Sequence, residues 1–289
     1  ALIKGVTVKD SPEWLKEKLL KIGEKPVNNI VDITNFVMFE LGQPLHAFDF
    51  QFIDGPNINV RKSKKDEKIL TIDNESRKLE DVVVISDSKK PIAVAGVMGG
   101  KNSEITEDTK TIFLESACFD SIYNRQSAKN LGMKTEATLR FEKGLNPQLC
   151  EFAIKRSIDL ILEIAGGNLE ESIQDLWIKD KNISKKINLK KEKINNLLGV
   201  NFDQETIKNT LINLGFSINE ISNQDLNITV PYWRQDVSIP EDICEELARI
   251  IGYEKIPISS LSGQIPQWEP NDYLNIREKI RDILVESGM

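Results

Sequence analysis

The sequence predicts an α+β protein with more than one domain. Short β-rich runs such as residues 82–86 (VVVIS) are interspersed with stretches at helical spacing such as residues 148–165. The chain has 289 residues, enough for about two domains of ~100–200 residues each. Composition changes after Trp177, where residues 179–193 hold seven lysines and two acidic residues. We therefore expect a mixed-sheet domain first and a smaller α+β domain after this segment.

In the first domain, residues 12–22 and 120–131 are predicted as helices, each followed by a glycine. Residues 28–41 begin with β-branched side chains and become more helical, so their period does not decide between strand and helix. Strands with a lysine-rich turn are expected over residues 57–72. Three apolar runs predict buried strands of one sheet: 82–86, 91–98 and 111–114.

The second domain is expected to be small, with elements in the order of a winged helix-turn-helix. A strand near residue 187 precedes two helices, two strands and a third helix, at 191–198, 204–213, 216–221, 226–230 and 240–251. A last helix is predicted over residues 270–287. We interpret the lysine-rich residues 179–193 as a solvated linker, with a phosphate-binding patch as the alternative.

Charge and rare residues narrow the function classes. The net charge of −7 argues against a basic domain that coats nucleic acid, because phosphate contacts need clustered lysine and arginine. The cysteines form no C-x-x-C pair, so neither a disulfide framework nor a cysteine zinc site is expected. The sequence has no apolar run of about 18 residues, and we expect a cytoplasmic protein without a membrane partner. His46 is the only histidine, which excludes a three-histidine metal site.

A glycine-rich segment, residues 96–103 (GVMGGKNS), resembles a phosphate-binding loop. It has Ala95 and Asn102 where G-x-x-x-x-G-K-[ST] requires glycine and serine or threonine. Glycines after a strand still allow backbone N–H groups to approach a ligand, because glycine has no Cβ. A tight turn is the simpler interpretation.

Two single residues are also candidates for a site. His46 lies in a turn-rich stretch, and a neutral imidazole suits proton transfer and hydrogen bonding near pH 7. Glu115 follows the apolar run TIFL, so its carboxylate faces either solvent or a pocket, and burial would require a hydrogen-bond donor. A loop of small and charged residues is expected around Thr135, Glu136 and Ala137.

The second domain contains an acidic cluster at the helix predicted over 240–251. Ser238 and Glu241 have the S-x-x-E spacing of a capping box, and carboxylates in the first turns complement the helix dipole. Oxygen-rich clusters also suit Mg²⁺, which binds through few carboxylates and retains waters. From spacing alone we favour the helix-dipole interpretation. The members are Asp236, Asp242, Glu245 and Glu246.

Several longer strings together resemble one family. They include NNIVDITNFVMFELGQPLHAFDF (28–50), GVMGG (96–100), FLESACFD (113–120), GMKTEATLRFEKGLNP (132–147) and PYWRQDVSIPEDICEELARIIGYEKIP (231–257). Their order and spacing are similar to those of bacterial-type phenylalanyl-tRNA synthetase β subunits over nearly the whole chain. The resemblance implies three parts, namely a tRNA-editing domain (1–178), a winged-helix-like domain with a Mg²⁺-binding cluster (184–258), and a linker with the first helix of a catalytic-like domain (259–289).

The resemblance implies an (αβ)₂ heterotetramer. Its α subunit would carry out ATP-dependent aminoacylation. Its β subunit would bind phenylalanine tRNA and hydrolyse tyrosine wrongly attached to it. No DNA partner is expected. By position, the implied catalytic residues are His46, Glu115, Thr135 and Ala137, the substrate-binding residues are Lys25, Gly96 and Gly99, and the ligands of a Mg²⁺ ion at the α-subunit interface are Asp236, Asp242, Glu245 and Glu246.

Within this resemblance each pocket residue has an expected role. Glu115 would accept a hydrogen bond from the tyrosine hydroxyl, and His46 would place the tRNA terminus or the attacking water. Gly96 and Gly99 would let the backbone approach the substrate. Thr135 and Ala137 would shape the wall.

Lys25 stands where the family has an arginine. Lysine lacks the planar fork of a guanidinium, so a bidentate contact at this position is in question.

Two other function classes remain open from the sequence. The chain could be a non-catalytic module for tRNA docking and assembly, in which case binding without hydrolysis is expected. The winged-helix-like domain could also bind DNA on its own, which the negative net charge opposes.

Overall fold

Antiparallel sheets with helices packed on them make up this computed structural model. It describes residues 1–55, 57–170, 172–176, 185–220, 225–258, 263 and 271–289. The helices are α1 (Glu13–Lys21), α2 (Asn29–Leu41), α3 (Ser121–Leu131), α4 (Glu136–Phe141), α5 (Leu149–Ile164), α6 (Lys191–Leu198), α7 (Gln204–Asn213), α8 (Pro240–Ile251) and α9 (Asp272–Glu286). The strands are β1 (Leu2–Lys4), β2 (Leu45–Asp49), β3 (Asn59–Lys62), β4 (Lys68–Leu70), β5 (Ser76–Lys78), β6 (Val83–Ser86), β7 (Pro91–Val94), β8 (Met98–Gly99), β9 (Thr111–Ser116), β10 (Asn168–Leu169), β11 (Lys186–Lys190), β12 (Ser217–Glu220) and β13 (Asp225–Thr229).

Residues 1–170 contain two four-stranded sheets, in the orders β10-β1-β9-β2 and β3-β6-β7-β8, and the hairpin β4-β5. Helices α1, α2 and α5 share one hydrophobic core with the first sheet, which includes Ile30, Ile112 and Ile161. The second sheet packs its apolar residues into separate clusters, one of them around Phe48. The α+β class predicted from the sequence is confirmed.

Helix α2 resolves the stretch whose period was ambiguous. The Asn28 side chain accepts hydrogen bonds from the backbone N–H groups of Ile30 and Val31, and Gly42 at φ 82° ends the helix. The helix carries polar residues into the core because they are paired, as Asp32 accepts from Ser11 Oγ and from Val27 N. The apolar and β-branched character that suggested a strand therefore reflects burial.

Two expectations about this part of the chain are wrong. Residues 83–86 and 91–94 share a sheet, but Thr111–Ser116 lies in the other sheet, between β1 and β2. An apolar run indicates burial, and here two separate cores are available to bury it. The stretch that contains Glu136 and Ala137 is helix α4, because Thr135 caps it.

Strand pairing also differs from the mixed sheet that was expected. Every strand pair among the described residues is antiparallel. Several pairs, such as β4-β5 and β6-β7, are joined by short turns. Parallel strands would need a long crossover connection.

Residues 186–251 form the predicted small α+β unit. Strands β11, β13 and β12 make an antiparallel sheet, and α6, α7 and α8 cover it around a core that includes Ile187, Leu211, Ile228 and Leu247. The order of elements matches the prediction. The predicted domain boundary at residues 178–184 lies outside the described residues, as does most of the linker expected from residue 259.

Helix α9 falls at the last predicted helix, and all of its residues are exposed. Within the described residues, no helix has the length and apolar character needed to cross a membrane.

Candidate functional site

A cavity of ≈ 80 Å³ lies between the two four-stranded sheets, and α4 lines one side of it. Five of the predicted pocket residues line it: His46, Gly96, Gly99, Glu115 and Ala137. The rest of its wall is largely apolar, formed by Pro44, Leu45, Ile85, Ala93, Val94, Val97, Met98, Phe119 and Phe141. Two larger cavities of ≈ 190 and ≈ 300 Å³ contain none of these five residues.

His46 and Glu115 are directly opposite each other in the β2–β9 ladder. Side chains of opposed residues lie on the same face of a sheet, about 5 Å apart at Cβ, so both point to the same side. His46 Nε2 and Glu115 Oε2 are buried and have no hydrogen-bond partner. Such groups are rare in native structures because an unpaired buried polar atom costs free energy. Two of them in one cavity indicate that a ligand or water supplies the missing partners.

Burial controls the charge of this pair. It lowers the pKa of the His46 imidazole to about 4 and raises the pKa of the Glu115 carboxyl to about 7. At neutral pH the imidazole is therefore uncharged, and the carboxyl group is near its midpoint. A neutral imidazole offers one donor and one acceptor, and a carboxyl group near its midpoint both accepts and donates protons. The pair can hydrogen-bond a hydroxyl or water and move a proton.

The imidazole is held between an aromatic ring and a glycine. Phe48 contacts His46 edge-on, with ring centroids 4.5 Å apart and planes at 83°. On the other side, a Cβ added to Gly99 would lie 2.5 Å from His46 Cε1 and Nε2. The position of the His46 imidazole therefore requires glycine at residue 99, because any side chain there would displace the ring.

Gly96 forms the turn between β7 and β8 at φ 65°, which favours glycine. Its surroundings are closed as well, since an added Cβ would lie 2.5 Å from Asn124 Nδ2 and 2.8 Å from ring atoms of Phe119 and Phe141. Asn124 is buried and donates from Nδ2 to the Ala95 carbonyl at 3.2 Å. The turn therefore sits tightly against the pocket wall.

Thr135 does not line the cavity. Its hydroxyl donates to the Val97 carbonyl at 3.1 Å and accepts from Thr138 N at 3.2 Å, while Thr138 Oγ1 accepts from Thr135 N at 2.9 Å. These bonds cap α4 and tie it to the turn that carries Gly96. The arrangement places Ala137 in the wall, so Thr135 acts on the pocket through the helix it caps.

Lys25 is exposed in the connection between α1 and α2 and is not among the lining residues. A cationic side chain there lies outside the cavity. Its predicted contact with substrate stays a prediction.

The acidic cluster of the second domain is organised by an arginine. The Arg234 guanidinium donates to both carboxylate oxygens of Asp236 and of Glu246, at 2.5–3.1 Å, and Arg249 Nη2 donates to Glu246 at 2.7 Å. The Arg234 hydrogen bond lowers the pKa of Glu246 to about 2. Both carboxylates are therefore ionised and neutralised by side chains of the same domain.

The other two carboxylates of the cluster lie apart from this pair. Asp242 Oδ2 accepts from Ser238 N at 2.7 Å and from Ile239 N at 3.0 Å at the start of α8, and Glu245 is exposed. The predicted capping pair of Ser238 with Glu241 is wrong, because Asp242 takes that role and Glu241 pairs with Lys193.

Mg²⁺ does not fit this arrangement. Across the described residues, no three His, Cys, Asp or Glu side chains converge as metal ligands. The oxygens of Asp236 and Glu246 face Arg234, and Asp242 Oδ2 faces backbone N–H groups just before α8. Glu245 is exposed. The helix-dipole interpretation accounts for Asp242.

The sequence reasoning missed several aromatic residues of the site. Phe48 orients His46, and Phe119 and Phe141 pack edge-on against each other at 5.2 Å in the wall. Phe48 had a detectable signal, since it lies two residues after His46 and therefore on the same face of a strand.

Comparison with known proteins gives the family. Residues 1–166, more than half of the chain, match the model of the B3/4 domain, and residues 187–253 match that of the tRNA synthetase B5 domain. The chain is 40% identical to the phenylalanine–tRNA ligase beta subunit of Clostridium acetobutylicum over 100% of its length, and 41% identical to that of Clostridium tetani over 99%. It spans 36% of the length of each of these relatives.

A solved structure is also similar. This is an N-terminal fragment of the phenylalanyl-tRNA synthetase beta subunit from Pyrococcus horikoshii, with a TM-score of 0.44 and 16% identity over 88% of this chain and 70% of that chain. The chain belongs to the B3/4 domain family and carries a tRNA synthetase B5 domain after it, which confirms the resemblance to bacterial-type phenylalanyl-tRNA synthetase β subunits.

Proposed function

We propose that this chain carries the editing site of a phenylalanine–tRNA ligase β subunit and hydrolyses tyrosine esterified to phenylalanine tRNA. The observation that carries the proposal is the cross-strand pair of His46 and Glu115, whose polar end atoms are buried without partners in one largely apolar cavity. A tyrosine side chain matches the polarity of such a cavity, because its ring is apolar and its single hydroxyl is both donor and acceptor.

Glu115 is the proposed determinant of selectivity. Tyrosine and phenylalanine differ by one hydroxyl, and a site built to bond that hydroxyl can reject the analogue without it by ~10⁴-fold or more. In such a site phenylalanine would leave Glu115 Oε2 unpaired, as it is in the protein alone. Tyrosine would supply the missing partner.

His46 is proposed to place the ester or the attacking water. Its neutral imidazole lines the same cavity, and Nε2 can accept a hydrogen bond from water or donate one to a substrate oxygen, depending on its tautomer. The described pocket offers no serine, threonine or cysteine nucleophile among its lining residues. Direct attack of water on the ester is therefore the proposed chemistry, with positioning supplying most of the rate.

The cavity of ≈ 80 Å³ is smaller than the ~150 Å³ cavity that holds benzene in an engineered protein. A tyrosine ring therefore requires the wall to open. This size is the one observation that favours the second candidate, a module that docks tRNA without hydrolysing the ester. Ester hydrolysis decides between the two.

In the whole enzyme we propose an α subunit partner that uses ATP, and phenylalanine tRNA as the nucleic-acid substrate, in an (αβ)₂ assembly in the cytoplasm. The division into parts at 1–178, 184–258 and 259–289 belongs to the same proposal. The arginine-filled acidic cluster supports no Mg²⁺ step in hydrolysis, so none is assigned.

The test is hydrolysis of preformed Tyr-tRNA and Phe-tRNA, both on phenylalanine tRNA, by the chain and by the αβ enzyme that contains it. Selective loss of tyrosine is expected. Because a hydrogen bond to a charged group contributes ~1.5–3 kcal/mol, Glu115→Ala should slow Tyr-tRNA hydrolysis by about 10–100-fold. It should not slow Phe-tRNA hydrolysis, because phenylalanine then no longer leaves a buried carboxyl group unpaired. Equal loss of both substrates would contradict the role of Glu115.

Glu17→Gln provides the control, since Glu17 is an exposed residue of α1 that pairs only loosely with Lys21 at 3.9 Å. Its rates should match the wild type. Tight tRNA binding without hydrolysis in the αβ enzyme would support the docking module instead.

A further inference from the structure

Arg234 bridges two carboxylates with one guanidinium. Nε and Nη2 donate to Asp236 at 2.5–3.1 Å, and Nη1 and Nη2 donate to Glu246 at 2.9 Å. The Glu246 side chain is only 7% exposed and receives a further bond from Arg249. All three nitrogens of Arg234 are thus engaged on acidic oxygens, and two positive groups balance two negative ones.

The Arg234 guanidinium lies between Asp236 and Glu246, where a metal ion shared by these carboxylates would have to bind. Mg²⁺ requires oxygens at about 2.0–2.1 Å in octahedral arrangement. The oxygens of Asp236 and Glu246 instead face N–H groups, and a divalent ion among them would meet the positive charge of the guanidinium at close range. Asp242 Oδ2 is held by backbone N–H groups at the start of α8.

We infer that Arg234 is the resident cation of this acidic cluster, and that a divalent metal ion enters the cluster only when the Arg234 guanidinium leaves it. The inference concerns this chain alone and does not depend on the proposed editing activity. It also gives Arg234 a structural task that a metal ion held by the carboxylates alone would not perform.

That task is to anchor the segment from Pro231 to Asp236. One end of this segment touches the first domain, where the Tyr232 carbonyl accepts from Asn146 Nδ2 at 2.7 Å and the Tyr232 ring stacks on Phe152 at 5.8 Å. The other end is tied to α8 through Glu246. Because the guanidinium belongs to a residue of this segment, its hydrogen bonds to Glu246 hold the segment directly against α8.

The experiment is titration of the chain with Mn²⁺, followed by electron paramagnetic resonance, and with Mg²⁺, followed by calorimetry, at constant ionic strength. The wild type should show no saturable site up to about 1 mM free ion, in the affinity range of weak protein Ca²⁺ and Mg²⁺ sites. Arg234→Gln removes the cation and keeps the carboxylates, so it should gain one saturable site at least ten-fold tighter than any wild-type binding. Adding Asp236→Asn should abolish that site.

Arg156→Gln is the matched control, because Arg156 also forms a two-bond pair, with Glu40, in the first domain. It should gain no site. A saturable wild-type site that is lost in Asp236→Asn would overturn the inference. This comparison does not require Arg234→Gln, so it can be made even when that variant fails to fold. Absence of a new site in folded Arg234→Gln would overturn the claim that the guanidinium excludes the metal.

Discussion

Two groups of polar side chains, one in each domain, differ in whether their hydrogen bonds are satisfied within the protein. In the second domain, Arg234 pairs with Asp236 and Glu246 through hydrogen bonds of 2.5–3.1 Å. In the first domain, His46 and Glu115 lie side by side on neighbouring strands, and each has a buried atom without a partner. The first kind of centre holds structure together, and the second leaves two buried polar atoms for a ligand or water to bind.

Charge follows the same division. Arg234 lowers the pKa of Glu246 to about 2 and keeps it ionised, whereas burial raises the pKa of Glu115 to about 7 and keeps it poised between two states. Residue type alone does not separate these cases, since both are glutamates on regular elements. The difference lies in direct hydrogen bonding: Arg234 bonds the Glu246 carboxylate, whereas burial outweighs the charge of the Ala1 ammonium at Glu115.

The largest effect is expected from breaking the satisfied centre. Glu246→Ala leaves Arg234 bonded to Asp236 alone and Arg249 without its partner. Because the Arg249 and Asp236 side chains are largely exposed, the expected loss is that of hydrogen bonds to a charged group, about 1.5–3 kcal/mol of unfolding free energy. Urea denaturation followed by circular dichroism measures it. Glu245→Ala, at the exposed neighbouring position, should change stability by less than ~0.5 kcal/mol. Similar losses for both variants would show that the cluster is not a buried, paired unit.

The titration of His46 and Glu115 should make the free energy of unfolding depend on pH. Glu115 has a folded pKa of about 7 against an ordinary 4.5, so it contributes stability that falls as pH rises from about 4.5 to 7. His46 has a folded pKa of about 4 against 6.5, so its contribution rises with pH over about 4 to 6.5. In the wild type the two slopes oppose each other where the windows overlap, between about pH 4.5 and 6.5.

Substitution of either member exposes the slope of the other. His46→Gln should lose roughly 1–3 kcal/mol between pH 4.5 and 7, and Glu115→Gln should gain a similar amount between pH 4 and 6.5. The measurement is unfolding free energy at steps of one pH unit. Taking the difference between the two variants removes all other titrating groups. Parallel pH curves for the two variants would show that these side chains are not buried as described.

The smallest effect concerns the support of the pocket. Thr135→Ala removes the cap of α4 and the bond to the Val97 carbonyl, and loss of such a cap costs about 0.5–2 kcal/mol. Thr135→Ser keeps the hydroxyl and should retain most of the stability. Thermal unfolding of both variants tests this. Equal melting temperatures for Ala and Ser would assign Thr135 a role other than capping.

The sequence predicted the helices and strands better than it predicted which elements and side chains contact one another. Helix 240–251 and the order of the small domain follow from period and composition, which are local properties. The sheet that contains Thr111–Ser116 does not, because burial of an apolar run does not specify its neighbour. Likewise, the acidic residues before and within α8 could be identified from the sequence, but the pairing of Asp236 and Glu246 with Arg234 depended on geometry.

The candidate pocket shows the same limit. His46, Glu115, Gly96 and Gly99 could be named through the resemblance, and they line one cavity. Thr135 could also be named, but its hydroxyl is used by the backbone, which only the structure reveals.

The pairing of His46 with Glu115 across β2 and β9 makes the pocket depend on which face of its strand each side chain occupies. A strand alternates its side chains between two faces, so inserting or deleting a single residue ahead of either partner within its strand would turn that side chain to the opposite face. The connection between these strands, residues 50–110, contains the second sheet and the Gly96 turn, which also line the cavity. Length variation should therefore be tolerated only in those turns of the connection that lie away from the cavity, and excluded from β2 and β9, which makes the ladder a part of the domain to keep intact in any transplanted pocket.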